Sequence, residues 1–572
     1  MSPPTPLIPT NAEDGDRHSS LATTAHGSFN LAAGVYAFSL ARPSSPALVL
    51  DSASYSYAQL AEAARRVARW LGATAPEDVT PEDVTPEDVA PEDVAPENGA
   101  PEDSAAGQRH PPGRVGVLAS RSLETYAGIL GAAWAGDTAV PLNPKQPPAR
   151  LASILKRARL CALVVDHNGA HHLENDAVRA VLPARVLVAD RHPAVPLAPA
   201  TLFAPQDVPA SHPAYVLFTS GTTGVPKGVE VCVDSVAHFL ARMRDLYGIH
   251  PGDRVGQFGE ASFDLSVFEI FAAWDGGAAL HVVPESKLMA PAGFIRQREL
   301  TVWTSVPSVI SILSRMKMLE AGSFPSLRVS FFIGEALPIV LADAWHKAAP
   351  QSVVDNHYGP TEATVACTMQ RWTSPPVETP ERGTLAIGHA YDGLAVEAVS
   401  AERHFLGAGE IGELAIHGPQ LATGYFDDPE QTRERFPTLD HPQLGRGRWY
   451  LTGDCGFRDD AGVLHCLGRI DHQVKVGGHR VELEDIEAHL RTTSGTDAVA
   501  ALAWPRHHGQ ATGIVAFVCN AIATPAEIRE RMRALVPPYM VPRKVVVLGA
   551  LPLSVNGKVD RNALESLAKG AA

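Results

Sequence analysis

No Cys-x-x-Cys pair occurs anywhere in the 572 residues; Cys161, Cys232, Cys367, Cys455, Cys466 and Cys519 are scattered. That spacing argues against zinc ribbons and disulfide frameworks, and for reduced thiols in a cytoplasmic enzyme. No apolar run reaches the length that crosses a bilayer, so no membrane partner is expected. The first 28 residues are rich in Ser, Thr and Pro and lack a basic start followed by an apolar core. No secretory signal is visible in them, and they are expected to be a disordered tail. A basic stripe interleaved with aromatics is also missing, which argues against nucleic acid. Basic residues vanish altogether between 76 and 103, where Pro-Glu-Asp-Val-Thr/Ala repeats.

Eleven acidic residues lie in that repeat, so the formal charge of −15 falls to −4 for the rest of the chain. A proline every fifth residue forbids helix and sheet interiors. The segment 74–112 is therefore expected to be a disordered acidic insertion, between a helix ending near Leu71 and a strand starting near Arg114. Repeat expansion in a tolerant surface loop accounts for it better than a docking tether.

The full chain has 45% hydrophobic and 19% charged residues, ordinary globular material too long for a single core. Up to about residue 390, apolar strands such as Arg114–Ala119, Ala162–Asp166 and Arg254–Phe258 alternate with helical stretches. Alternation of that kind predicts an α/β fold of mostly parallel, helix-covered sheets. From about 395 to 468, short strands and Gly turns predict a small β-rich subdomain. A final α+β unit of about 100 residues, by the size prior for domains, follows from Asp471.

One stretch stands out. The apolar strand Ala214–Phe218 runs into Thr219-Ser220-Gly221-Thr222-Thr223-Gly224-Val225-Pro226-Lys227-Gly228. Glycines let backbone N–H groups crowd a phosphate, hydroxyls add donors and Lys227 adds charge. The spacing is not that of a Walker A loop. Further on come Phe263-Asp264-Leu265-Ser266, Asn356-His357-Tyr358-Gly359-Pro360-Thr361-Glu362, Tyr450-Leu451-Thr452-Gly453-Asp454, Gly468-Arg469-Ile470-Asp471 and Asn556-Gly557-Lys558.

In that order, these motifs resemble the core motifs of amino-acid adenylation domains in the adenylate-forming superfamily. The resemblance runs from about residue 30 to 565 and implies a 29–470 adenylation core and a mobile 471–572 unit hinged at Asp471. It further implies that ATP is held by Thr219, Ser220, Gly221, Thr222, Thr223, Gly224 and Lys227. The adenine would meet Tyr358, Asn356 and the wall Gly334-Glu335-Ala336; Thr361 would serve the phosphates, and Asp454 and Arg469 the ribose side. Glu362 would bind Mg²⁺, and Lys558 would bridge the substrate carboxylate and the α-phosphate as the catalytic residue.

Asp264 is implied to pair with an amino acid's α-ammonium group. Leu265, Phe268, Thr304, Phe331, Ile333, His357, Val365 and Ala366 would line the rest of the pocket. An apolar lining excludes charged side chains, which would be stranded there. Small, aliphatic or proline-like amino acids fit; Leu265, Phe268, Val365 and His357 resemble proline-activating pockets, whereas Thr304, Ile333 and Ala366 do not. The acceptor is expected to be the phosphopantetheine thiol of a separate carrier protein. An acyl- or aryl-CoA ligase and a non-catalytic scaffold relative remain the alternatives.

Three look-alikes are set aside. His171-His172-Leu173-Glu174-Asn175-Asp176 matches an acyltransferase pattern without the domain to go with it. Gly407-Ala408-Gly409-Glu410-Ile411-Gly412 matches a dinucleotide fingerprint but leads into a strand. Gly477-Gly478-His479 resembles a carrier attachment site, except that Arg480 stands where the serine must be. In that loop Gly477 also replaces a commonly basic residue of the family.

Overall fold

The computed structural model describes residues 29–51, 53–72, 112–189, 203–220, 225–470, 473–507, 510–552 and 559–570. The tail 1–28, the acidic repeat, Gly221, Thr222, Thr223, Gly224, the hinge position Asp471 and Lys558 lie outside them.

Two large sheets organise the chain. The first has nine strands, in the order His389–Ala390, Thr368–Arg371, Val353–Tyr358, Val329–Phe332, Val302–Ser305, Arg254–Gln257, Ala279–Val282, Pro46–Val49 and Ser54–Ser56. Its six inner strands are parallel and only the edges reverse. Strands buried on both faces are near-continuous apolar runs, and Val302–Ser305 and Val329–Phe332 are wholly buried. The second sheet has seven strands, parallel through Val186–Val188, Ala162–Val165, Arg114–Leu118, Thr138–Leu142 and Pro213–Thr219. It closes with the antiparallel pair Lys227–Cys232 and Gly424–Tyr425.

Helices Tyr57–Gly72 and Leu123–Trp134 cover these sheets. The first buries Leu60, Ala61, Ala64, Val67, Ala68 and Leu71, one apolar stripe at helical spacing. The two helices approach so closely that a Cβ at Gly131 would sit 2.5 Å from that of Val67. Only glycine fits there.

Ala395–Val399, Gly412–His417, Tyr450–Arg458 and Leu464–Arg469 form an antiparallel four-stranded sheet, the expected β-rich region. Past it lie a four-stranded sheet that includes Gln473–Val476 and His479–Glu482, and a three-stranded sheet built around Ile514–Cys519. Their own core joins Val481, Ile486, Leu490, Ile514 and Met532. The fold is thus the α/β arrangement expected. Among the described residues, no helix is long and apolar enough to cross a membrane.

Candidate active site

Several of the described candidate residues sit where parallel strands of the two large sheets end. In open α/β sheets, crevices for ligands form beyond the carboxyl ends of strands. Thr304, Phe331, Asn356 and Tyr358 sit at or near the C-terminal ends of their strands in the nine-stranded sheet. Thr219 ends Pro213–Thr219, and antiparallel pairing sets it directly opposite Lys227. The two ends of the glycine-rich loop are thereby held side by side. Thr219 Oγ1 is buried with no partner among the described residues.

Glu362 is the charge centre. Its carboxylate is fully buried and accepts from the Tyr425 hydroxyl at 2.8 Å and Arg480 Nη1 at 2.8 Å; Lys227 Nζ stands 3.7 Å away. Burial alone would push this carboxyl up, but Arg480 and then Lys227 overcome it and hold it far below the usual range. Burial, followed by repulsion from Arg480, brings Lys227 down to about 8. Two cations around one carboxylate leave a local positive excess suited to phosphate.

Arg480 was legible in the sequence only as the residue that spoils a carrier attachment site. It arrives on a hairpin, Gln473–Val476 and His479–Glu482, whose two-residue turn is Gly477-Gly478, with φ of +57° and +85°. Both values belong to the left-handed turn that glycine pairs favour. The turn explains the glycine at 477. Gly478 N–H donates to Glu335 Oε1 at 2.8 Å, and Ser220 Oγ donates to the Arg480 carbonyl at 3.0 Å. Pairing also sets Lys475 directly opposite Arg480. Like charges facing across a hairpin are destabilising unless each finds an anion elsewhere. Arg480 finds Glu362, and Lys475, which is solvent-accessible, lies in the field of Asp454, Glu335 and Asp264.

At the nucleotide end, the Tyr358 hydroxyl donates to Asp454 Oδ2 at 2.6 Å, and Arg469 Nη1 donates to Asp454 Oδ1 at 3.1 Å. Asn356 donates to the Ala386 carbonyl at 2.8 Å, while its Oδ1 is buried without a partner among the described residues. A buried orphan acceptor is costly unless a ligand's donor completes it. The exocyclic amino group of adenine is such a donor. Glu335 also accepts from Ser308 N–H at 2.8 Å, which fixes the Gly334–Ala336 wall.

Asp264 precedes a short helix but makes no capping bond with its side chain. It accepts instead from Thr361 Oγ1 at 2.8 Å. Burial raises its carboxyl, and the Thr361 bond offsets part of the rise. Thr361, expected at the phosphates, is here the acid's hydrogen-bond partner. Leu265, Phe268, Phe331, Ile333, His357, Val365 and Ala366 are all buried.

Two supports escaped sequence reasoning. Glu269, fully buried, accepts from Thr304 Oγ1, from Phe258 N–H at 2.9 Å and from Gly259 N–H. Burial outweighs these bonds and lifts its carboxyl to about 7. Thr364 and Val365 both lie in the left-handed region, with φ of +57° and +70°. A β-branched residue there is strained. Gln420 holds the turn: its Nε2 donates to the Ala366 carbonyl at 2.7 Å, and its own carbonyl accepts from Thr364 Oγ1 at 2.6 Å.

Comparisons with known proteins identify the family of the chain. The profile of the family described as "AMP-binding enzyme" matches residues 105–426. D-alanine–D-alanyl carrier protein ligase of Bacillus velezensis is 30% identical over 448 residues, covering 76% of this chain and 85% of that protein. The chain belongs to the AMP-binding enzyme family. Tyrocidine synthase 2 of Brevibacillus parabrevis is 34% identical over 453 residues, 79% of this chain and 12% of that protein. The chain spans no more than 40% of the length of the first five curated relatives it matches. The solved adenylation domain AlmE of Vibrio cholerae, in complex with glycyl-adenosine-5'-phosphate, superposes with a TM-score of 0.75 at 28% identity, covering 97% of this chain and 100% of that one. Within the family this is an adenylate-forming enzyme of the nonribosomal-peptide adenylation type.

Proposed function

We propose that the protein activates a small, uncharged amino acid, within the range from small aliphatic to proline-like, to its aminoacyl adenylate. ATP is consumed, pyrophosphate leaves, and the aminoacyl group passes to the phosphopantetheine thiol of a carrier protein. The observation that carries this reading is Asp264, a half-buried carboxylate that adjoins the buried Leu265 and Phe268 in sequence and is hydrogen-bonded to Thr361, the neighbour of Glu362. A half-buried acid set beside apolar side chains selects a cation, and an amino acid's ammonium group is one.

Activation requires in-line attack of the substrate carboxylate on the α-phosphorus. Charge builds on phosphate oxygens, so fixed cations and donors do the work rather than a base. Lys227 and the hydroxyls of Thr219 and Ser220 flank the loop that would hold the phosphates. Tyr358, Asn356, Asp454 and Arg469 orient the nucleoside, and Lys558 supplies the charge shared between carboxylate and α-phosphate. Glu362 suits Mg²⁺, which prefers carboxylate and phosphate oxygens and would neutralise phosphate charge when bound. Its Oε2 is held by Arg480 in this arrangement, so a metal there requires the hairpin to withdraw. That requirement supports two working positions of the 471–572 unit: hairpin out and Lys558 in for adenylation, hairpin in for thiol transfer.

The test is ATP–pyrophosphate exchange across amino acids, fatty acids and aryl acids, followed by loading of a phosphopantetheinylated carrier. Amino-acid-dependent exchange and thioester formation are expected. Faster exchange with fatty or aryl acids, or transfer to coenzyme A alone, would overturn the reading.

A further inference from the structure

The C-terminal unit brings one more side chain to the nucleotide end. Gln510 lies on the short strand Gln510–Ala511, and Ala511 pairs in parallel with Val476 of the hairpin. The Ala511 carbonyl also accepts from Gly477 N–H at 3.2 Å, so Gln510 and the hairpin belong to one sheet. From that sheet the Gln510 side chain reaches the core, where its Nε2 donates to the Ala336 carbonyl at 3.2 Å. Gln510 is 6% exposed, and its Oε1 is buried without a partner among the described residues.

This orphan has a companion. Ala336 precedes Leu337, whose carbonyl accepts from Leu385 N–H at 2.9 Å. Leu385 precedes Ala386, whose carbonyl accepts from Asn356 Nδ2 at 2.8 Å. Gln510 and Asn356 are thus anchored to two adjoining segments of backbone. A carbonyl can only accept, so the amide atom facing it must be nitrogen, and oxygen is the atom left over in each case. Both oxygens are buried and unpaired. A buried acceptor left so carries an uncompensated desolvation cost. Two at one end of a site suit a ligand group with two donors. The exocyclic amine of adenine has two N–H bonds, and Asn356 needs only one.

We propose that Gln510 Oε1 accepts the second N–H of the adenine amino group, the first going to Asn356 Oδ1. The inference rests on the nucleotide placement and the two working positions proposed above, and adds a nucleotide-binding residue from the 471–572 unit. Ala336 and Asn356 belong to the core, whereas Gln510 arrives with the hairpin. Its bond to the base therefore forms in the thiol-transfer arrangement and not in the one that makes the adenylate. A ligand shifts an equilibrium only by binding one arrangement better than the other. The second N–H supplies that difference, so the adenylate's own base draws the hairpin in.

Single-turnover transfer by the full chain tests it, with pantetheine as the thiol and the amino acid most active in exchange. The donors are the aminoacyl adenylate and its purine riboside counterpart, in which hydrogen replaces the amino group, both made by chemical synthesis. Asn356 meets the base in both arrangements, so its lost contact cancels in this step. The wild type should transfer faster from the adenylate by roughly 5–150-fold, the usual span of a coupling between two sites. In Gln510→Leu that preference should disappear. Gln510→Met carries the same test if the leucine variant does not fold. Equal slowing with both donors would make Gln510 a docking contact only and overturn the inference, as would a wild type indifferent to the amino group. Absence of ATP–pyrophosphate exchange with any acid would remove the parent reading, and this one with it.

Discussion

Replacing Arg480 by alanine should separate the two half-reactions. The guanidinium lies 2.8 Å from a carboxylate with no solvent exposure, on a hairpin that docks the C-terminal sheets against the core. Removing one partner of a buried ion pair costs about 3–5 kcal/mol. Lys227 at 3.7 Å and the Tyr425 hydroxyl remain to shield Glu362, which places this site near the lower end, about 3 kcal/mol. Only the hairpin-in arrangement contains the contact, so its loss weakens that arrangement against all others. About 3 kcal/mol corresponds to a population shift of roughly 100-fold, at 1.4 kcal/mol per tenfold. Pyrophosphate exchange, which needs the hairpin out, should be retained or rise. Single-turnover transfer from preformed aminoacyl adenylate to the carrier thiol should slow by roughly 100-fold if the hairpin-in arrangement becomes minor. The two assays are run on the same preparation, with a thermal melt to confirm folding. An equal fall in both steps, or unchanged transfer, would refute the reasoning.

Other outcomes follow from the same geometry. Lys558→Ala should cut exchange by roughly 10²–10³ with ATP binding intact, as for loss of a charge-stabilising donor; near-normal exchange would remove its catalytic assignment. Asp264→Ala strands the substrate ammonium, at about 3–5 kcal/mol, so kcat/KM for amino acids should fall by two or more orders of magnitude relative to des-amino acids. Glu269 holds its proton to about pH 7 when folded against an ordinary 4.5, so its contribution is complete below pH 4.5 and fades as pH rises to 7. The loss is on the order of 3 kcal/mol, and Glu269→Gln should gain melting temperature on the wild type across that window; a gap that ignores pH would contradict the shift. Deleting residues 76–103 should leave exchange unchanged, since that composition builds no core, and insoluble protein would show otherwise.

The α/β architecture was readable because strands buried on both faces are near-continuous apolar runs, as Ala162–Val165 is. Asp454, Tyr358 and Arg469 were readable as a group because each stands inside a short motif of fixed order. Arg480 was not, since its partner Glu362 lies 118 positions away and a single chain does not announce such pairs. A trace existed nonetheless: a Gly-Gly turn that sets Lys475 opposite Arg480 puts two cations face to face, which makes sense only near anions. Glu269 left no trace at all, because an acid inside an apolar helical run looks the same whether it faces solvent or a buried hydroxyl. The stacking of Phe268 on Phe331 was likewise hidden, for the two lie 63 residues apart and composition cannot reveal that they touch face to face.

The strained turn at Thr364–Val365 bears on how such pockets are exchanged between proteins. Left-handed backbone at a β-branched residue costs about 1–3 kcal/mol, and the bonds to Gln420 that offset it come from a segment more than fifty residues downstream. Copying the pocket's side chains onto another scaffold would import the strain without the support, and Val365 would relax out of place. The portable unit is therefore the lining together with the stretch around Gln420, and a chimera whose crossover falls between them breaks the pocket even when every lining residue is correct.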